Sequence, residues 1–252
     1  MLLPRHMEVA LCGLGLIALA PLLLIIAALV KYTSPGPVLF RQRRMGQYGR
    51  PFELLKFRSM SDRPTGQGSL VTAGGDARIT AVGCVLRSTK LDELPQLWNV
   101  VRGDMSLVGP RPEVPRYVQH YPELFGMVLK QRPGITDICT LQLRNEESIL
   151  GGVEDPESYY IERLLPRKLA ASIREGWKRN GWRDLRVLVG TVLPPLRALA
   201  PLPDFKPLAA VYRVTDEPLV METAAARQAM AQGGAATPLL ADVEPVRVEM
   251  GA

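Results

Sequence analysis

Histidine is nearly absent. His6 and His120 are the only two in 252 residues, so neither a Ser-His-Asp triad nor a multi-histidine metal site is expected, and any catalysis falls to carboxylates. Cysteine is scarce as well. Cys12, Cys84 and Cys139 are odd in number, far apart and form no C-x-x-C. That excludes a disulfide framework or zinc ribbon and suits a reducing compartment, with each cysteine a small buried hydrophobe. Charge is missing from one long stretch, Val9 to Val30, and no internal repeat is present.

That uncharged stretch is about 20 residues long, enough to reach across a bilayer, and no cleavage site follows it. Pro21 stands in its middle, where it removes a helix hydrogen bond and clashes with the preceding turn. Arg5 precedes the stretch, and Lys31, Arg41, Arg43 and Arg44 follow it. Basic residues at both ends point to both ends on the cytoplasmic side. Each half covers roughly 16 Å, about halfway into the hydrocarbon. The expectation is a re-entrant helix-break-helix over residues 1–32, broken at Ala20-Pro21. A single kinked transmembrane helix is the other reading.

The rest of the chain is charged and mildly basic. The formal net charge is +6 and mean hydropathy is close to zero. Seven Lys or Arg fall between Arg41 and Arg63, against two acids, Glu53 and Asp62. Such an excess suits phosphates, anionic lipid or nucleic acid. Val38-Leu39-Phe40 reads as a short strand, Arg41 to Arg50 as a basic loop, and Pro51 to Met60 as a half-buried strand with Lys56 and Arg58 on one face. Those two cations bind either a substrate anion or lipid headgroups. Asp62 to Asp76 is a Gly/Pro/Ser/Thr-rich loop, and Arg78 to Arg87 reads as a helix.

The stretch Thr89 to Asp104 organises the chain. Leu91, Leu94, Leu97 and Val101 recur at the spacing of one buried helix face, and Pro95 fits only near a helix start. Asp92 and Glu93 therefore lie in or before the first turn, where free N–H groups favour negative charge. One reading is structural, with Thr89 and Asp92 in a capping box. The other is chemical: adjacent side chains diverge by about 100°, so one carboxylate could attack while the other holds a metal. A glycoside hydrolase is a rival reading that the pattern disfavours, since adjacent acids could hardly flank a sugar. Further on, Met105 to Val108 is strand-like, and Arg111 is locked between Pro110 and Pro112, suited to two-pronged phosphate contact. Glu113 to Lys130 is helical with a break near Pro122, Arg132 to Thr136 is a rigid turn, and Asp155 to Trp177 is a helix. Trp182 to Val192 is amphipathic, either interfacial or a plain core helix. From Pro194 the composition turns Pro- and Ala-rich, which reads as a loosely ordered extension over 194–252.

Six motifs in order resemble the bacterial sugar transferases, the monotopic phosphoglycosyl transferases. They are the apolar stretch with its central proline, Ser34-Pro35-Gly36-Pro37-Val38, Lys56-Phe57-Arg58-Ser59-Met60, Leu91 to Val100, Gly103 to Pro112, and Arg132-Pro133-Gly134-Ile135-Thr136. The resemblance covers roughly residues 5–193. It implies transfer of a sugar-1-phosphate from a UDP-sugar to undecaprenyl phosphate with release of UMP, initiating a surface glycan at the cytoplasmic face of the bacterial inner membrane. It implies Asp92 as nucleophile, Glu93 and Asp92 as holders of Mg²⁺, and Lys56, Arg58, Arg87 and Arg111 as phosphate-binding cations. It also implies membrane lipid but no nucleic acid as partner, and it admits a homodimer. The implied architecture is mainly α with short β segments: a re-entrant membrane helix over 1–32, a compact cytoplasmic catalytic domain over 33–193 with interfacial amphipathic helices, and the extension over 194–252. The sequence departs from the family pattern at Ala20, at Glu8 and at Asp137-Ile138-Cys139. A catalytically idle membrane-anchored scaffold is the alternative function.

Overall fold

A computed structural model describes residues 4–61, 72, 76–142, 146–177 and 181–192. Most of the loop expected over Asp62 to Asp76, and the extension from 194 onward, lie outside these residues. The described part is mostly helical with two short two-stranded sheets.

The apolar N-terminal stretch forms α1 (Arg5–Ala18) and α2 (Ala20–Thr33), bent by 62°. Neither helix alone is long and apolar enough to cross a membrane. The break falls at Leu19, one residue ahead of the expected Ala20-Pro21, because Pro21 sits in the first turn of α2, where its missing N–H costs nothing. One face of the pair is buried through Cys12, Ile26 and Val30, while Leu14, Ile17 and Leu24 are 65%, 73% and 71% exposed.

β1 (Leu39–Met45) and β2 (Pro51–Phe57) form an antiparallel hairpin with Leu39 opposite Phe57 and Met45 opposite Pro51. The first half of the basic segment expected as a loop, Arg41 to Met45, is thus strand. Its Arg-Gln-Arg-Arg run carries no apolar alternation, so only pairing with β2 reveals it. The turn between the strands uses positive φ at Tyr48 and Gly49.

α3 (Ala81–Thr89) is capped by the Thr80 hydroxyl, which accepts from the Gly83 amide at 2.9 Å. It ends at Lys90, whose backbone is left-handed (φ 61°), and a 3₁₀ turn, Leu91–Glu93, follows. α4 (Gln96–Arg102) begins only after Pro95. The dyad therefore lies in its own tight turn between two helices. The capping-box reading fails, because the Thr89 hydroxyl donates back to the Val85 carbonyl (2.7 Å) in the last turn of α3.

α1 packs on α4 around Cys12, Leu54, Val100 and Met105, and α2 packs on α3, with Leu91 and Leu94 of the dyad segment against Ile26, Val30, Phe57 and Leu86. β3 (Ser106–Val108) runs parallel to β4 (Gly134–Thr136). Gly109 and Gly134 meet backbone to backbone: a Cβ on Gly134 would lie 2.0 Å from the Gly109 nitrogen, so this crossing admits no side chain. The remaining elements are α5 (Pro115–Val118), α6 (Pro122–Val128), α7 (Ile138–Gln142), α8 (Glu146–Gly151), α9 (Pro156–Tyr159), a π-turn (Tyr160–Leu164), α10 (Leu165–Trp177) and α11 (Gly181–Val192). A second core gathers Met45, Val114, Phe125, Leu150, Leu165 and Leu169 behind the site.

Candidate active site

The dyad turn opens on a cavity of about 910 Å³ lined by Lys56, Arg87, Asp92, Glu93, Arg111 and Lys168 among others. Three separate elements bring the charges there: β2 carries Lys56, α3 carries Arg87, and the loop after β3 carries Arg111.

The two acids of the dyad have different surroundings. Glu93 is clamped. Its Oε1 accepts from Lys56 Nζ at 2.9 Å and from Arg111 Nη2 at 2.8 Å. Burial alone would push its carboxyl up, but the two adjacent cations outweigh that and hold it well below the usual carboxylate range. Arg111 is correspondingly raised by the Glu93 charge, against the opposing effect of burial. Burial lowers Lys56, and Glu93 only partly restores it.

Asp92 is 4% exposed, and its Oδ1 is buried with no hydrogen-bond partner among the described residues. Desolvation raises its pKa; Lys56, Lys90 and Arg87 pull it back, while Glu93 pushes it further up. A buried carboxylate oxygen without a donor is costly unless something else is meant to meet it. Among the described residues no three His, Cys, Asp or Glu side chains converge on a metal site. At the dyad turn, the Asp92–Glu93 pair would bind a divalent cation together with substrate oxygens. That donor set suits Mg²⁺, which typically takes one or two carboxylates plus phosphate oxygens, and the orphaned Asp92 oxygen fits such a group.

The other expected cations divide. Arg87 Nη2 donates to Glu147 Oε1 at 2.5 Å, so the first turn of α8 faces it across the cavity. Arg58 is placed differently. It is 4% exposed, and its guanidinium donates to the carbonyls of Pro37, Val30 (3.2 Å) and Ser34 (2.7 Å) and to the Ser34 hydroxyl (2.8 Å). It thereby fastens the C-terminal end of α2 to the hairpin. Glu8 does comparable work at the start of α1: Ser106 Oγ donates to it at 2.5 Å, the Leu107 amide at 3.3 Å, and Arg5 pairs with it at 3.2 Å.

Sequence reasoning missed a second group of charges on the same cavity: Arg44, Glu113, Glu146, Tyr160 and Lys168. Tyr160 OH donates to Glu113 Oε1 at 2.6 Å, and Lys168 Nζ lies 3.1 Å from that phenol and 3.3 Å from Glu146 Oε1. The only local signal was Glu113, directly after the Pro-Arg-Pro segment.

A cation-lined cleft around two unequal carboxylates is the equipment of an enzyme that handles phosphate groups. The chain belongs to the bacterial sugar transferase family, whose model matches residues 1–193. It is 40% identical over 192 residues to a UDP-glucose:undecaprenyl-phosphate glucose-1-phosphate transferase of Caulobacter vibrioides, covering 75% of this chain and 67% of that protein. It is 46% identical over 185 residues to a protein of the same description from Xanthomonas campestris, covering 71% and 36%. It is also 41% identical over 135 residues to a UDP-N-acetylgalactosamine-undecaprenyl-phosphate N-acetylgalactosaminephosphotransferase of Aeromonas hydrophila, covering 52% and 32%. The chain thus spans about two thirds of the first relative and about a third of the other two.

Proposed function

We propose that this chain moves a sugar-1-phosphate from a UDP-sugar to undecaprenyl phosphate, releasing UMP and starting a surface polysaccharide. The observation that carries this reading is the buried, donor-less Asp92 oxygen beside a Glu93 held by two cations, in a chain of this family. The names of the relatives supply the substrate class.

The Asp92 carboxylate attacks the β-phosphorus of the donor. A P–O bond forms to aspartate, the P–O bond to the α-phosphate breaks, and UMP leaves with the bonding pair. A lipid phosphate oxygen then attacks the same phosphorus and frees Asp92, a ping-pong sequence. Repulsion between carboxylate and pyrophosphate is the main obstacle, and Lys56, Arg111 and Arg87 supply the opposing charge. Because Glu93 uses Oε1 for both cations, the clamp is in place before substrate arrives. Mg²⁺, held by Asp92 and Glu93, would neutralise phosphate charge when bound. Partial desolvation of Asp92 weakens its hydration and sharpens it as a nucleophile.

The lipid acceptor fits the N-terminal pair. The bent helices carry a face of exposed Leu and Ile, and both ends are basic. This supports a re-entrant membrane segment at residues 1–32, with a catalytic domain over 33–193 on the cytoplasmic face of the inner membrane. Trp182, Leu185 and Val189 form an exposed stripe on α11, suited to the interface.

The test is UMP release by protein held in nanodiscs with Mg²⁺, undecaprenyl phosphate and a panel of UDP-sugars, wild type beside Asp92→Asn. Release by the wild type alone, with a phosphosugar adduct recovered on Asp92, is the expected result. Equal release by both proteins would remove Asp92 from the chemistry.

A further inference from the structure

The charges around Glu113 have no task in the transfer just described, yet they converge on the residue two positions after Arg111. Glu113 is 8% exposed. Its Oε1 accepts from Tyr160 OH at 2.6 Å and lies 3.5 Å from Lys168 Nζ. Its Oε2 lies 3.6 Å from Arg44 Nη1, which also donates to the Pro112 carbonyl at 3.1 Å. The Glu113 carbonyl in turn accepts the Met45 amide at 2.9 Å. On the other side of Arg111, the Pro110 carbonyl accepts the Gly134 amide at 3.0 Å. The Pro110 carbonyl before the arginine is therefore tied to β4, the Pro112 and Glu113 carbonyls after it to β1, and the Glu113 side chain to α10 and the π-turn.

Lys168 is held from two sides. It reaches Glu146 Oε1 and Oε2, both at 3.3 Å, and sits 4.9 Å from the centre of the Tyr160 ring. Tyr160 opens the π-turn Tyr160–Leu164, a rare deviation inside a helical run that often marks functional positions. Its ring lies 5.1 Å from that of Tyr117. A single ion pair would suffice to neutralise a buried glutamate. Two cations and a phenol from three elements exceed that need, and buried polar networks of this kind fix one geometry.

We propose that Tyr160 and Lys168 are positioning residues for Arg111. They hold Glu113, and through the Pro112 peptide they keep the Arg111 guanidinium aimed at Glu93 Oε1. Proline on both sides fixes φ at 110 and 112 and biases Arg111 to an extended backbone, so the orientation of the 112–113 segment is one backbone freedom that distant contacts can set. The C-terminal helices thus set the phosphate clamp from behind, although none of their residues belongs to the dyad. This rests on the proposed function only in taking Arg111 to face substrate phosphate.

The test is a double-mutant cycle between Tyr160→Phe and Arg111→Ala in the full chain in nanodiscs, read as kcat/KM for UMP release. Tyr160→Phe keeps the ring packing and removes one hydrogen bond to a buried carboxylate. It should lower kcat/KM about tenfold in the wild-type background and less than about twofold once Arg111 is gone. Equal losses in both backgrounds would overturn the proposal, since a merely structural role is additive. Lys168→Met should show the same coupling, and Lys168→Arg should recover most of the loss. Amide hydrogen exchange keeps the question separate from the activity. In Tyr160→Phe the Met45 and Gly134 amides, which bond to either side of Arg111, should exchange about tenfold faster while those of α4 stay unchanged. If wild type releases no UMP but this exchange change appears, the transferase reading fails and the positioning role stands. Unchanged exchange at Met45 and Gly134 would overturn the positioning role whatever the activity.

Discussion

At one end of the cavity Glu93 takes both Lys56 and Arg111, and Asp92 is left with a buried oxygen that no described residue meets. At the other end Glu113, Glu146, Lys168 and Arg44 each have an opposite charge within 4 Å. Both clusters are buried and both border the same cavity. Among the described residues the first leaves a buried oxygen unpaired, while the second is closed on itself. A closed network fixes geometry; an open one performs chemistry. Substitutions should therefore separate activity from stability differently at the two ends.

Asp92→Asn gives the largest expected effect. Turnover should fall by about 10³-fold or more, while the melting temperature holds or rises, because a desolvated charge is removed. A parallel loss of both would place Asp92 in the closed class. Lys168→Met should lose stability along with its roughly tenfold loss of kcat/KM, because it leaves Glu113 and Glu146 short of a cation: unfolding free energy in denaturant titration should drop by about 3 kcal/mol. Arg111→Ala comes next, with kcat/KM lowered about 10²-fold and a smaller stability loss, since Lys56 still neutralises Glu93.

The acids of the dyad should also respond to pH with opposite signs. Glu93 has a depressed carboxyl, so its contribution to stability is present above the unfolded-state carboxylate value and is lost as pH falls through its lower folded value. Asp92 is raised, so its contribution is full below the unfolded value and is lost as pH rises through the folded one. Melting curves across pH should show Asp92→Asn gaining on wild type toward neutrality, and Glu93→Gln losing. The acid limb of the activity profile should lie above the ordinary aspartate range. The smallest effect is at Lys90. Its left-handed backbone suits glycine, and Lys90→Gly should raise the melting temperature by about 2 °C while removing a cation that faces Asp92.

The two clusters also differ in how far they could be read beforehand. The dyad, Lys56 and the proline-flanked arginine stand in short motifs whose spacing carries the chemistry. The second cluster draws on residues 44, 113, 146, 160 and 168, each ordinary in its own neighbourhood. Tyr160 falls inside the stretch Asp155 to Trp177, which reads simply as a helix. Arg58 shows the reverse: a basic residue inside a recognisable motif whose donors go to the carbonyls at the end of α2. The strand character of Arg41 to Met45 was hidden because a ribbon polar on both faces has no period-two signal.

The sequence by itself determined the apolar pair with its proline break, the mainly helical class with short strands, the acid pair and the family. All are local patterns or ordered motifs, and local chemistry suffices to state them. Only the tertiary structure decided that Glu93 is clamped while Asp92 is left unmet, that the dyad sits in a 3₁₀ turn after a left-handed lysine, and that the C-terminal helices reach back to Glu113. Those outcomes depend on which distant side chains share a low-dielectric space. Charge pairing and desolvation are set by three-dimensional neighbours, not by neighbours in the chain.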